Sequence, residues 1–449
     1  PLFSFVPTVS SHGPSLPPTS AASRTHQKPR RAPIHPRRLL PHAHCSGAPP
    51  GGTRRRRGWN PDPCHGLLGV LRRPSAPGAS PRAPHQMSRA GVPPDSYTLP
   101  IVLKAACHLF ALELGRQLHG SAVKRGLQSD EYCESGVICV YAKAGEFGSA
   151  RKVFEESPQR KLGSWNAVIS GLAQGGRSEE AVDLFVELRR CGLVPDDVTM
   201  VSVASACGSL GDLELAQQVH KCVLQARARE MGKTGILLHN SLVDMYGKCG
   251  RPDLAHRVFS RMAQRDVSSW TAMIMGLAMH GHAHEAVTFF RRMVSEGAAR
   301  PNHVTFVSVL SACAHGGLVD EGMWYFHQMK ANYGVEPTVA HYGCVVDMLG
   351  RVGRLEEARG MVEGMPVRAN SVILGTLMGA CEKHGDVEVG EWVAGKLLEL
   401  EPWNDGVYVV LSNIYASKGL WGEVHRLRRL MREKSVAKLP GYSLAALAV

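Results

Sequence analysis

The chain has 449 residues, of which 44% are hydrophobic and 20% charged, and it carries a formal net charge of +13. No stretch reaches the apolar length of a membrane-spanning helix, and a chain this long need not fold as two or three compact domains, because a repeat array grows along one axis. The charge is not by itself a sign of nucleic-acid binding: ten Lys and Arg and no acid fall within residues 1–61, leaving +3 for the remainder.

Residues 1–60 are rich in Pro, Ser, Arg and His, with a basic run from Arg54 to Arg57. Such a composition cannot bury a core and predicts disorder. Abundant Arg and Ser without acids point to an organelle transit segment, the alternative being a non-native end of a gene model. Residues 61–95 end in MSRAGVPPD as later units do, but Pro74, Pro77, Pro81 and Pro84 fall where a second helix should run. An interior proline costs a helix about 3 kcal/mol, so this is a degenerate first repeat.

From Ser96 the pattern is regular, and its clearest unit is SWNAVISGLAQGGRSEEAVDLFVELRRCGLVPDDVT, Ser164 to Thr199. Trp165 to Gln174 reads as a short apolar helix and Gly175 and Gly176 as a turn. Ser178 is expected to cap a second helix with Glu179 and Glu180 in its first turn and Arg189 and Arg190 in its last, which suits the helix dipole. Ala181, Leu184, Phe185 and Leu188 give that helix one apolar face, and Gly192 and Pro195 stop it. A hairpin of this kind needs neighbours to cover its faces.

Ser269 to Thr305 repeats the unit after roughly one hundred residues, keeping the Trp, the Glu-Ala-Val and the Pro-Asn/Asp ending. Val201–His220 and Leu238–Asp266 are echoed by Phe306–Gly322 and Tyr342–Arg359, so units of about 31 to 36 residues recur as ordered triplets. The insert ARAREMGKT, Ala226 to Thr234, lengthens one unit and is expected to form a loop bulge.

With Trp-Asn at a unit start, Ser-Ala-Cys, Asp-Met-Tyr-Gly-Lys-Cys-Gly and a closing Pro-Asp, residues 61–440 resemble plant pentatricopeptide repeat (PPR) proteins whose motifs alternate as P-type, long and short. The resemblance implies an all-α, right-handed α-solenoid of helix-turn-helix repeats. P-type, long and short repeats would occupy 96–370, and 371–440 resemble the E extension of editing-type members, two hairpins similar to tetratricopeptide repeats. A tail, 441–449, closes the chain. Leu374 stands where the family commonly has Trp.

In that family the fifth residue of a motif and its last choose one RNA base. Carried over, Asn166 pairs with Asp196, Asn240 with Asp266 and Thr271 with Asn302, implying U, U and A. Ser135 with Lys161, Gly343 with Asn370, and the apolar Pro100, Val201 and Val307 depart from the code. For any one of these residues an ordinary helix cap or turn competes with base contact; three pairs in phase favour contact.

The implied function is site recognition for C-to-U editing of organelle RNA, with single-stranded RNA as one partner and a DYW-type deaminase or other editing protein, recruited through 371–440, as another. The mitochondrion is preferred over the chloroplast. No catalytic residue, metal site or cofactor is expected in the chain: zinc deaminases need His-x-Glu and Cys-x-x-Cys, and neither occurs. The recurring Cys107, Cys207, Cys313 and Cys381 read as buried packing residues, and His280, His282 and His284 as a solvated turn. The alternatives are an organelle RNA-binding protein acting in stability, splicing or translation, a protein-binding helical scaffold, and a nonfunctional copy.

A fusion of residues 1–60 to a fluorescent reporter is expected to enter isolated mitochondria and be cleaved; exclusion from both mitochondria and plastids would refute the transit reading.

Overall fold

The computed structural model describes residues 95–230, 235–297, 299–434 and 436, with side chains for all of these except 226–230. By contacts the chain divides into Pro1–Asn60 and Pro61–Val449, and every described residue belongs to the second unit. The expected transit segment 1–60, the degenerate repeat except Asp95, and the tail 441–449 lie outside the described residues.

Twenty α-helices account for the described secondary structure and pair into ten hairpins. The first helices of the hairpins are α1 (Thr98–His108), α3 (Glu131–Lys143), α5 (Leu162–Gln174), α7 (Asp197–Leu210) and α9 (Ile236–Lys248). They continue as α11 (Val267–Met279), α13 (His303–Gly316), α15 (Val339–Arg351), α17 (Ser371–His384) and α19 (Asp405–Ser417). The second helices are α2 (Leu112–Lys124), α4 (Phe147–Glu156), α6 (Ser178–Arg190), α8 (Leu213–Glu230) and α10 (Pro252–Arg261), followed by α12 (Ala283–Ser295), α14 (Val319–Ala331), α16 (Leu355–Glu363), α18 (Val387–Leu400) and α20 (Trp421–Glu433). Each first helix packs on its own second helix and on the next first helix, so the first helices form one continuous row. This is an all-α solenoid, and α17 to α20 continue its stacking without interruption.

Two local expectations are corrected. Arg177, not Ser178, is the cap residue of α6, and it makes no side-chain capping bond; Ser178 is the first helical residue, buried, with its hydroxyl unpartnered. The helix begins one residue early because Ala181 N–H bonds to the Arg177 carbonyl. The insert is not a loop throughout, since α8 runs on to Glu230 and only 231–234 fall outside the described residues.

The core is a chain of repeat-to-repeat contacts. Trp165 on α5 meets Phe154 of the preceding hairpin edge-on at 4.6 Å, and Trp270 on α11 meets Phe259 in the same way at 4.9 Å. Arg160 and Arg265 cover the phenylalanines at 5.1 and 4.8 Å, so a three-residue joint recurs wherever a P-type unit follows a short one. The four recurring cysteines are buried on α1, α7, α13 and α17. Close approach of the first helices demands small residues: a Cβ on Gly276 would stand 3.0 Å from the Cα of Gly247.

Trp270 is fully buried, so Trp270→Ala is expected to cost about 3–5 kcal/mol at that joint. Urea unfolding followed by hydrogen exchange should show the loss concentrated in α10 to α12; a shift below about 1 kcal/mol would show that the joint is dispensable.

Candidate nucleic-acid interface

Each of the six expected contact residues lands at an equivalent place. Asn166, Asn240 and Thr271 are the fifth residues of α5, α9 and α11. Asp196, Asp266 and Asn302 are the cap residues of the next first helices, α7, α11 and α13, each in a reciprocal capping box with the third helical residue. The capping role weighed against base contact is therefore real for these three, and it coexists with a side-chain link to the previous repeat.

Asn166 Nδ2 donates to both carboxylate oxygens of Asp196 at 3.0 Å. Asn240 Nδ2 donates to Asp266 Oδ1 at 3.0 Å. Thr271 is linked to Asn302 indirectly: its hydroxyl lies 2.8 Å from that of Thr305, which donates to Asn302 Oδ1 at 3.1 Å. Asp196 and Asn302 are exposed and Asp266 half-buried; Asn166 is half-buried, while Asn240 and Thr271 are buried.

Sequence reasoning missed the third member of each cluster. Thr199 Oγ1 donates to Asn166 Oδ1 at 2.5 Å, and Ser269 Oγ donates to Asn240 Oδ1 at 2.6 Å. Thr305 holds the same place in the third cluster. The signal was present in the chain as a hydroxyl residue three positions after Asp196, Asp266 and Asn302, the spacing of a capping box.

The units that depart from the code differ structurally. Ser135 on α3 turns its hydroxyl back to the Glu131 carbonyl at 2.7 Å, and Lys161 Nζ lies 3.8 Å from Glu131 Oε2. Gly343 has no side chain to reach Asn370, which caps α17 by accepting from Ile373 N–H. Elsewhere His280 Nε2 lies 2.7 Å from the Gly247 carbonyl of the preceding hairpin, while His282 Nδ1 lies 3.5 Å from Glu285 within its own turn.

Burial alone would raise the Asp266 carboxyl pKa, but hydrogen bonds from Ser269 and Asn240 outweigh it and hold the value below the ordinary one. The internal bonds leave each Asn amide with one N–H and one carbonyl lone pair not engaged by these partners.

Comparison with known proteins identifies the repeats that carry these residues. The PPR repeat model matches residues 135–162, 238–267, 304–333 and 340–368, the PPR repeat family model 160–209 and 265–315, and the E motif model 384–445. A mitochondrial pentatricopeptide repeat-containing protein of Arabidopsis thaliana is 58% identical over 360 residues, covering 80% of this chain and 76% of the relative. A chloroplastic/mitochondrial one from the same plant is 42% identical over 366 residues, covering 80% of this chain and 57% of the relative. In fold the chain is similar to the maize protein PPR10 in complex with an 18-nt psaJ RNA element, with a TM-score of 0.59 at 18% identity over 79% of this chain and 53% of that one. The chain belongs to the pentatricopeptide repeat family, in the E subgroup of the class with alternating P-type, long and short motifs.

The folded Asp266 pKa lies below its unfolded value of about 3.9, so its stabilising bonds are fully present above that pH and fade as pH falls through the folded value. Asp266→Ala is expected to cost about 1 kcal/mol at pH 7. In thermal melts the gap to the parent should shrink below about pH 4; a gap unchanged at pH 3 would deny the carboxylate its role.

Proposed function

We propose that this protein binds single-stranded organelle RNA in a sequence-selective way and marks sites for C-to-U editing, with the deaminase supplied by another protein. The observation that carries the reading is the recurrence of one side-chain cluster, at the same helical positions, in three repeats: Asn166 with Asp196, Asn240 with Asp266, and Thr271 with Asn302. A polar group repeated once per hairpin along one row of helices matches the one-base-per-repeat mode of RNA reading. In the family's code the clusters select U, U and A, with an unread nucleotide between the first two.

The editing role rests on the ending of the array. The E motif match spans 384–445, and the resemblance of 371–440 to the E extension of editing-type members supports the reading. Here α17 to α20 present Trp403 and Trp421 largely to solvent, a surface suited to a protein partner. The relatives of 58% and 42% identity are named mitochondrial and chloroplastic/mitochondrial, which supports an organelle and favours the mitochondrion. The chemistry at cytidine C4 requires a zinc-bound water and belongs to the recruited partner in this reading.

Organelle RNA sequencing of a loss-of-function plant is expected to show lost C-to-U conversion at one or a few sites preceded by U, any base, U, A. The wild-type gene should restore editing, and Asn166→Ala with Asn240→Ala should not. Unchanged editing with altered splicing or transcript ends would replace this reading with RNA maintenance.

A further inference from the structure

Eight successive first helices, α1 to α15, each have a fifth-position residue, counting Pro100 from Asp95. Although α1 begins at Thr98 with Tyr97 before it, Asp95 matches the later cap residues in accepting from the N–H of the third residue on, Thr98, and from its hydroxyl as well. Across this series the third residue of the following helix follows a rule. Where the fifth residue is Ser135, Asn166, Asn240 or Thr271, the third residue of the next helix is Ser164, Thr199, Ser269 or Thr305, always a hydroxyl. Where the fifth is Pro100, Val201, Val307 or Gly343, the third is Cys133, Leu238, His341 or Ile373, never one.

Helix capping does not account for this. Asp130 and Asn370 cap their helices through side chains, yet Cys133 and Ile373 stand at the third position. Lys161 has no side chain able to accept a capping bond, yet Ser164 follows it. The hydroxyl tracks the polar fifth residue of the previous repeat, not the cap.

Geometry gives the reason. An Asn amide could be turned either way, and the two orientations present opposite donor and acceptor orders to a base. The Asp196 carboxylate requires Nδ2 on its side, and Thr199 Oγ1 takes one lone pair of Asn166 Oδ1 from the other. Asn240 is held by Asp266 and Ser269 in the same manner. Uracil and cytosine differ in the donor and acceptor order of their pairing edges, so an amide fixed from both ends discriminates where a free one accepts both.

We propose that Thr199, Ser269 and Thr305 are positioning residues for base selection, and that Ser164 is the same element left without a pair. Ser164 is fully buried and its hydroxyl has no hydrogen-bond partner, because Ser135 bonds its own helix and Lys161 cannot accept. The repeat ending at Lys161 therefore lacks only its fifth and last residues to read a base. The proposal rests on base contact by Asn166 and Asn240, and its test separates the two.

The test measures binding of the full chain to synthetic single-stranded RNAs carrying U, any base, U, A, varied one position at a time through all four bases. Thr199→Val is expected to reduce discrimination at the Asn166 nucleotide about tenfold while sparing the Asn240 nucleotide, and Thr199→Ser to restore it. An equal loss of affinity for all four bases, or unchanged discrimination, would reduce Thr199 to a capping residue and overturn the proposal. Wild-type binding with no preference at either nucleotide would overturn base contact itself, and the proposal with it.

A gain-of-function arm has a positive readout that misfolding cannot mimic. Ser135→Asn with Lys161→Asp is expected to create about tenfold discrimination for U at the nucleotide next to that of Asn166, and adding Ser164→Ala should abolish it. No gain, or a gain that survives Ser164→Ala, would refute the role assigned to Ser164.

Discussion

The closeness of successive first helices is the constraint on which the rest of the molecule depends. Gly247 and Gly276 oppose each other so tightly that a Cβ on either would stand 3.0 Å from the other's Cα, and one on Gly350 would stand 2.9 Å from the Ala380 Cβ. At that spacing a side chain as short as Asn reaches from the fifth position of one helix to the cap of the next. A larger residue at the contact would widen the row and break the reach of Asn166 to Asp196 and of Asn240 to Asp266. Stability and the side-chain links between repeats thus share one distance, since a solenoid has only its nearest-neighbour interfaces to hold it.

The same economy shows in the capping residues. Asp196 and Asp266 satisfy helix N–H groups that would otherwise be orphaned, and the same carboxylates orient an amide on the preceding repeat. A cap substitution in this array therefore acts on two properties at once. The surface ion pairs, such as Arg151 with Glu155 and Arg354 with Glu357, add little by comparison because both partners face solvent. The aromatic joints Phe154–Trp165 and Phe259–Trp270 are buried and recur in phase, and they tie the P-type units to the short ones.

Much of this was legible along the chain because repetition turns weak local signals into a strong one. The periodic apolar face Ala181, Leu184, Phe185 and Leu188 is buried as its spacing requires, and the positive-φ turns at Gly176 and Gly281 fall where the hairpins close. The errors were local ones. Ser178 looked like a cap from residue type alone, and the insert at Ala226 looked like a loop, yet α8 absorbs it as far as Glu230 because nothing in ARARE opposes a helix.

The sequence by itself determined the repeat class, the phase of the units and the six polar residues in register, since each of these is a matter of period. Only the tertiary structure decided how those residues join. Nδ2 of Asn166 faces Asp196 while its oxygen faces Thr199, Thr271 meets Asn302 only through Thr305, and Ser164 is left waiting beside a lysine. Those links cross from one hairpin to the next over some thirty residues of chain. No local period encodes them; they exist because packing brings two helices within a side chain's length.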